Sequence, residues 1–491
     1  MMKISKVLIA NRGEIAVRII KSLKENDIES VLVVSDVDKS SMAAKMADFV
    51  YEIGGKSAAE SYLIVDKIIE ACQYYEVDAV HPGYGFLSEK LELLAGCSKN
   101  NIKFIGPNKE AIKVMGDKIL SKLKMQEVGV PTIPGFTIEA KNLENPKDLL
   151  KKVSEIKYPV MIKASAGGGG KGMRRVDSEE QFLDSCKSCK REAMSSFSDD
   201  RIFVEKFIEN PRHIEFQVFG DDFGNIEHIN ERDCSIQRRN QKVIEECPSP
   251  SFCDDLRKKM GEMAILCAKS VDYVNAGTVE FIVSEKNEFF FLEMNTRLQV
   301  EHPVTELTHQ VDLVKEQISV AEGKKLSFDD EDKTIKAHSI ECRVYAEEPL
   351  NNYAPSAGKL LRCTFPKESK NIRIDTGVVS GDTISIYYDP MICKLITTAK
   401  TRKEAISYMV QAVKETTIFG VETNLSFLLD ILNEESFVKG EYNTKYLEEK
   451  DIGSINKKNN GFNKSVLESL VDFDLKQTSH EALDPFVSVE L

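Results

Sequence analysis

The sequence predicts a mixed α/β and α+β protein: a parallel α/β N-terminal domain, a central α+β domain and a β-rich C-terminal domain. Three observations carry that expectation. Over residues 1–118, short continuously apolar runs alternate with helical patterns. Strands that are apolar on both faces need cover on both faces, which a parallel sheet between helices provides. Over 119–330 the β segments lengthen and helices thin out, and over 335–448 most runs read as strands. The 491 residues accommodate three such domains at roughly 150 residues each.

Each element follows from its local pattern. Residues 7–10 read as a strand, 15–24 as a helix, 31–34 as a strand and 62–74 as a helix; 77–80 and 103–105 complete the first set. The loops Asn11-Arg12-Gly13-Glu14 and His81-Pro82-Gly83-Tyr84-Gly85 then fall at carboxyl ends of strands, where open α/β sheets bind ligands. Neither has the GxGxxG spacing, so a nicotinamide site has little support. The central domain offers strands at 158–163, 202–204, 214–219 and 226–229, a helix at 256–269 and a hairpin at 276–295. The C-terminal domain offers strands at 340–345, 372–374 and 391–397 and a closing helix at 402–413. Residues 449–491 form a tail. Its Asn456-Lys457-Lys458-Asn459-Asn460-Gly461 run reads as a linker, and Val466, Leu467, Leu470 and Val471 have the spacing of one short amphipathic helix.

Composition narrows the function classes. A formal net charge of −13 argues against non-specific nucleic-acid binding, which needs a basic face. No stretch of 18 residues lacks a charge, so no membrane-crossing helix is expected. The N-terminus carries no signal-peptide apolar core, and 11 scattered cysteines read as reduced thiols in a cytoplasm. Cys186 and Cys189 form a CxxC inside a helical pattern with no second pair nearby, and read as ordinary thiols rather than zinc ligands.

Three stretches carry chemistry. Lys163 ends a strand and is followed by Gly167-Gly168-Gly169-Gly170-Lys171. Glycines let backbone N–H groups reach phosphate oxygens, and the flanking lysines supply charge; a flexible solvent loop is the plain alternative. In the hairpin, Lys286-Asn287 is the turn-like centre, so Glu280 faces Glu293. Opposed carboxylates repel, but oxygen-rich sites for Mg²⁺ need such a pair. Period-two alternation puts Asn295 and Arg297 on the same face, leaving Phe281, Val283, Phe290 and Leu292 as the core face. A solvated carboxylate face is the alternative. The third stretch, 231–242, is so densely charged that it reads as an exposed loop, with anion clamping as the second reading.

Taken together these stretches resemble the biotin carboxylase family of ATP-grasp enzymes. The resemblance spans residues 3–448 and rests on long motifs in family order. They are Ile9-Ala10-Asn11-Arg12-Gly13-Glu14-Ile15-Ala16, His81-Pro82-Gly83-Tyr84-Gly85-Phe86-Leu87-Ser88-Glu89, the glycine run through Met173, 231–239, and Glu293-Met294-Asn295-Thr296-Arg297-Leu298-Gln299-Val300-Glu301-His302. It implies a Rossmann-like N-terminal domain, an ATP-grasp domain with a mobile lid at about 135–207 and a β-rich biotin carboxylase C-terminal domain. The implied reaction is ATP-dependent carboxylation of biotin by bicarbonate through carboxyphosphate. Lys118, Lys163, Gly169, Gly170 and His213 would contact the ATP phosphates, Glu205, Lys206 and Ile208 the adenosine, with Met173, Gln237 and Asn240 completing the nucleotide contacts. Asn240 stands where many family members have His near the ribose. Glu280, Glu293 and Asn295 would hold Mg²⁺ (or Mn²⁺). Lys242, Arg297, Gln299, Val300 and Glu301 match the bicarbonate site, with Glu301 as base; Arg343 and Tyr84 match the biotin side.

No Met-Lys-Met occurs, so the expected partners are a separate biotin carboxyl carrier protein and carboxyltransferase, around a homodimer of this subunit. Acetyl-CoA carboxylase of fatty acid biosynthesis is the expected setting, with pyruvate or propionyl-CoA carboxylase as alternatives. Another ATP-grasp ligase, or a non-catalytic nucleotide-binding subunit, would lack the filled bicarbonate and biotin positions.

Overall fold

In a computed structural model, which describes residues 2–138, 146–165 and 172–450, the N-terminal strands β1 (Lys6–Ile9), β2 (Glu29–Val34), β3 (Phe49–Glu52), β4 (Ala79–His81) and β5 (Lys103–Phe104) form one parallel sheet in the order β3-β2-β1-β4-β5. Val7, Leu8, Ile9 and residues 31–34 are all buried, as strands covered on both faces must be. Helix α1 (Gly13–Glu25) buries Ile15, Ile19, Ile20 and Leu23 against that sheet. The helix expected from residue 62 starts at Val65; Tyr62 instead sits buried ahead of it, its hydroxyl donating to Asp38 at 2.7 Å.

Four antiparallel strands, β6 (Gly135–Ile138), β7 (Val160–Ala164), β8 (Met173–Val176) and β9 (Ile202–Lys206), make a separate sheet in the order β6-β9-β7-β8. Two helices, Pro146–Ile156 and Glu179–Phe197, pack with it around its own core of Leu149, Val153, Ile162, Phe182 and Val204. Cys186 and Cys189 belong to that core, and burial pushes their thiols up to about 12 and about 11. The glycine run 167–170 with Lys171, and the tail from residue 451, lie outside the described residues.

The third sheet has eight antiparallel strands. In chain order they are β10 (Arg212–Gly220), β11 (Ile226–Arg238), β12 (Gln241–Cys247), β13 (Asn275–Val283), β14 (Phe289–Asn295), β15 (His338–Tyr345) and the strands Ile372–Thr376 and Met391–Ala399. They run β14-β13-β10-β11-β12-β15, then Met391–Ala399 and Ile372–Thr376. Pairing of Ile244 with Cys342, Glu245 with Glu341 and Glu246 with Ile340 carries the sheet without a break from the central region into the C-terminal region.

Two sequence readings are corrected here. Residues 231–242 are not an exposed loop: they end β11, turn at Arg239-Asn240 and begin β12, with residues 230–238 all buried. Their charges are tolerated inside because each finds a partner; Arg257 pairs with Glu231 at 2.8 Å, and Ser235 and Ser249 donate to Asp233 at 2.6 and 2.8 Å. In the hairpin, a bulge between Glu280 and Phe281 shifts the outer register, so Phe281 faces Phe291. Phe291 therefore fills the core, while Phe290 and Leu292 are only half-buried. The turn-side pairs are thus one residue out of the expected register, and the bulge, which leaves Leu292 unpaired, restores it so that Glu280 faces Glu293.

One buried carboxylate ties three segments of the C-terminal region. Glu246 on β12 accepts from His338 on β15 at 2.7 Å, from Arg402 at 2.7 and 3.0 Å, and from the Tyr442 hydroxyl. Burial alone would raise its pKa, but His338 and Arg402 hold it at about 2. A depressed carboxylate contributes stability above its ordinary pKa and loses it as pH falls toward the depressed value. Glu246→Gln should therefore destabilise the protein near neutral pH by on the order of 3 kcal/mol, and denaturant unfolding should show that difference shrinking steadily as pH drops below about 4.

Candidate active site

A cleft of about 770 Å³ is lined by residues of both the four-stranded and the eight-stranded sheets. Register explains how the second sheet builds its floor. Arg232 on β11 faces Glu215 on β10, Glu215 faces Glu280 on β13, and Glu280 faces Glu293 on β14. Three carboxylates thus stand abreast on adjacent strands, which is repulsive unless cations are interleaved. The cations are there. Fully buried Arg232 donates to Glu215, to Gln217 at 2.8 Å, to Thr305 at 3.0 Å, to Thr278 at 3.1 Å and to Gln299 at 2.8 Å. The Lys242 ammonium reaches Glu215, Glu280 at 2.9 Å and Glu301 at 2.6 Å. Lys118 stands 3.6 Å from Glu293.

Glu280 is the most heavily contacted member. Its Oε1 accepts from Lys242, from Asn295 at 2.9 Å and from Gln299 at 2.7 Å; its Oε2 lies 2.8 Å from His213 Nε2. Burial raises its pKa, but Lys242 and His213 outweigh this and hold it well below the carboxylate range. Burial likewise lowers the His213 pKa, and Glu280 more than reverses that, so the net shift is upward.

Glu301 lies between two cations. Its Oε1 accepts from Lys242 and its Oε2 from Arg343 at 3.0 Å. Burial pushes its pKa up, while Lys242, Arg343 and Arg232 together pull it far below the ordinary range. Arg343 is itself anchored by Glu245 at 2.6 Å. Arg297 donates to Glu89 at 3.0 Å and to Asn295 Oδ1 at 3.1 Å. Lys242 and Arg343 thus meet on the Glu301 carboxylate while Arg297 lines the same cleft, a gathering of cations that suits a small oxyanion that must lose a proton.

At the other end of the cleft, Glu205 on β9 lies between Lys122 and Lys163, both at 2.7 Å. Burial raises its pKa, but those lysines bring it below the usual value.

Of the residues singled out from sequence, Lys118, Lys163, Met173, Glu205, Lys206, Ile208, His213, Gln237, Asn240, Lys242, Glu280, Glu293, Asn295, Arg297, Gln299, Val300, Glu301 and Arg343 all line this cleft. Gly169 and Gly170 lie outside the described residues. Tyr84 is not among the lining residues; its hydroxyl donates to Glu14. Sequence reading missed Glu215, Arg232, Glu89, Lys122 and Glu245. Arg232 lies inside the stretch taken for a loop, and Glu215 alternates with apolar Ile214 and Phe216, a signal usable only once the partner strand is known.

Three family models match along the chain. The biotin carboxylase N-terminal domain model matches residues 3–112, the carbamoyl-phosphate synthase L chain ATP-binding domain model residues 117–328, and the biotin carboxylase C-terminal domain model residues 341–449. Biotin carboxylase 1 of Bacillus subtilis is 46% identical over 450 residues, which cover 91% of this chain and 99% of that one. The mitochondrial methylcrotonoyl-CoA carboxylase subunit alpha of Dictyostelium discoideum is 49% identical over 444 residues; these cover 90% of this chain but only 63% of that longer protein. Among solved structures, the biotin carboxylase domain dimer of Hydrogenobacter thermophilus 2-oxoglutarate carboxylase, in complex with MgADP, ADP and bicarbonate, superposes with a TM-score of 0.86 at 42% identity, covering 91% of this chain and 98% of that one.

Replacing Arg232 by Met leaves Glu215 buried beside Glu280 with one cation fewer. Equilibrium unfolding of Arg232→Met should show a loss of about 3–5 kcal/mol, well beyond that of an exposed arginine such as Arg191→Met.

Proposed function

The chain belongs to the biotin carboxylase family of ATP-grasp ligases, and from that premise we propose that it performs the first half-reaction of a biotin-dependent carboxylase at the cleft built on Glu215, Glu280 and Glu293. The observation that carries this reading is the placement of Lys242 and Arg343 on the two oxygens of Glu301, with Arg297 lining the same cleft. ATP is bound between the two sheets, its phosphates toward Lys118, Lys163 and His213 and its adenosine toward Glu205, Lys206 and Ile208. The lysines now paired with Glu205 and Glu293 are then shared with phosphate oxygens.

Glu280, Glu293 and the Asn295 amide oxygen form a hard-oxygen donor set that fits Mg²⁺. A cation held there would offset charge on the transferring phosphoryl group.

Bicarbonate is received by Lys242, Arg297, Gln299 and the Val300 backbone. A carboxylate whose pKa is held far down is a poor base, so the electrostatics must change when the anion arrives. Bicarbonate takes up part of the positive field of Lys242 and Arg343, and Glu301 regains basicity. Glu301 then accepts the bicarbonate proton, and the freed oxygen attacks the γ-phosphorus as ADP departs, giving carboxyphosphate. Carboxyphosphate then loses phosphate as its carboxyl carbon is taken up by the biotin ring nitrogen; the departing phosphate accepts the N–H proton, and the Arg343 guanidinium offsets the charge that develops on the enolate oxygen. The segment at about 135–207, whose described strands β6–β9 have their own core, acts as the lid that excludes water from carboxyphosphate.

Biotin is presented by a carrier protein, and a carboxyltransferase passes the carboxyl group onward. Acetyl-CoA is our working acceptor. Relatives of similar identity are named for methylcrotonoyl-CoA and for 2-oxoglutarate, so the acceptor is fixed by the transferase; mass spectrometry of the co-purified transferase checks it. The homodimer and a reducing cytoplasm belong to the same reading. The cytoplasm is supported by eleven free cysteines, and no helix among the described residues is long and apolar enough to cross a membrane.

The purified chain should hydrolyse ATP faster when free biotin and bicarbonate are both present; hydrolysis indifferent to both defeats the reading. Lys242→Gln and Glu301→Ala should each lower the biotin-dependent rate by at least about 100-fold while calorimetry still detects ATP binding. Glu280→Gln should raise the Mg²⁺ concentration needed for half-maximal hydrolysis, measured by metal titration.

A further inference from the structure

A chain of contacts joins the absent member of the cleft, Tyr84, to the bicarbonate loop. Resting on the function proposed above, we propose that Lys394 is a positioning residue that holds the Val300 backbone in register with Tyr84. Lys394 lies on the strand Met391–Ala399, directly opposite Arg343, and its side chain is fully buried. A lysine is almost never buried so completely without a partner that fixes it. Its ammonium donates to the Val300 carbonyl at 2.7 Å and stands 3.3 Å from Glu14 and 3.6 Å from Asp375.

These partners are not equivalent. Both oxygens of Asp375 already accept from Arg373, each at 2.8 Å. Glu14 has one oxygen on the Tyr84 hydroxyl, and its other oxygen is the one facing Lys394. Glu14 opens α1, and the approach is close: a Cβ on Gly377 would lie 2.5 Å from the Gly13 carbonyl carbon. Lys394 therefore links an N-terminal helix, a C-terminal strand and the backbone carbonyl that immediately precedes Glu301. A counter-ion for Glu14 alone has no need of that carbonyl. With it, the oxyanion site and the biotin-side tyrosine are set by one ammonium group.

Steady-state ATP hydrolysis by the full chain, with free biotin, tests this. Lys394→Met should raise the KM for bicarbonate by about tenfold or more, with the KM for ATP moving by less than about twofold. Glu14→Gln preserves volume and leaves Tyr84 an acceptor, so it decides the matter if Lys394→Met does not fold. It should raise the KM values for bicarbonate and free biotin together. A lower melting temperature with all KM values unchanged overturns the proposal, as does a rise shared equally by ATP. Absence of biotin-dependent hydrolysis in the unaltered chain overturns instead the reading on which it rests.

Discussion

Like charges on neighbouring strands are the constraint around which this protein is arranged. Glu215, Glu280 and Glu293 occupy one row across β10, β13 and β14, and such a row repels unless it is neutralised from the side. Arg232, Lys242, His213 and Lys118 supply that neutralisation. The result is a set of charges already oriented before any ligand enters, so little reorganisation is left for the moment of reaction. It also explains why so much polar surface is buried in β11 and β12. Arg232 needs five acceptors, and Gln217, Thr278, Gln299 and Thr305 are buried to provide four of them.

Much of the fold was legible because the N-terminal strands and helices have clean periodicity. The runs at Val7 and Val31 are apolar throughout, and the parallel sheet follows. The opposed pair Glu280–Glu293 was named from turn symmetry, but the strands leave the turn one residue out of that register and a bulge brings the pair together. Residues 231–242 were not legible. Their strand is covered on both faces and its polar side chains are paired by residues from Ser249 to Arg257; no local pattern distinguishes that from a solvated loop. The bulge at Phe281 was invisible for a related reason. Phe289, Phe290 and Phe291 are equally apolar, and only packing selects Phe291 for the core.

Most of the site was legible through family motifs rather than through physics. Glu301, Arg343 and Lys242 lie far apart in sequence and nothing in their local spacing says that they meet. Their roles depend on cross-strand register and on helix His302–His309 beginning directly after Glu301. Of the supporting residues that orient Arg343 and Arg297, Glu89 closes a family motif without a role being read from it, and Glu245 has no signal of its own.

The eight-stranded sheet has no seam where the central and C-terminal regions meet. Four residue pairs between β12 and β15 carry it across, and Glu245 and Glu246 depend on Arg343, His338 and Arg402 from the far side. Dissecting the gene near residue 335 would not yield two modules. The N-terminal fragment would end in an unpaired, flat strand edge bearing two stranded carboxylates, a template for sticking to other chains. The two regions therefore fold as one sheet, while β6-β9-β7-β8 form a sheet of their own whose Lys163, Met173, Glu205 and Lys206 wall the cleft, so that its loss would open the site on one side.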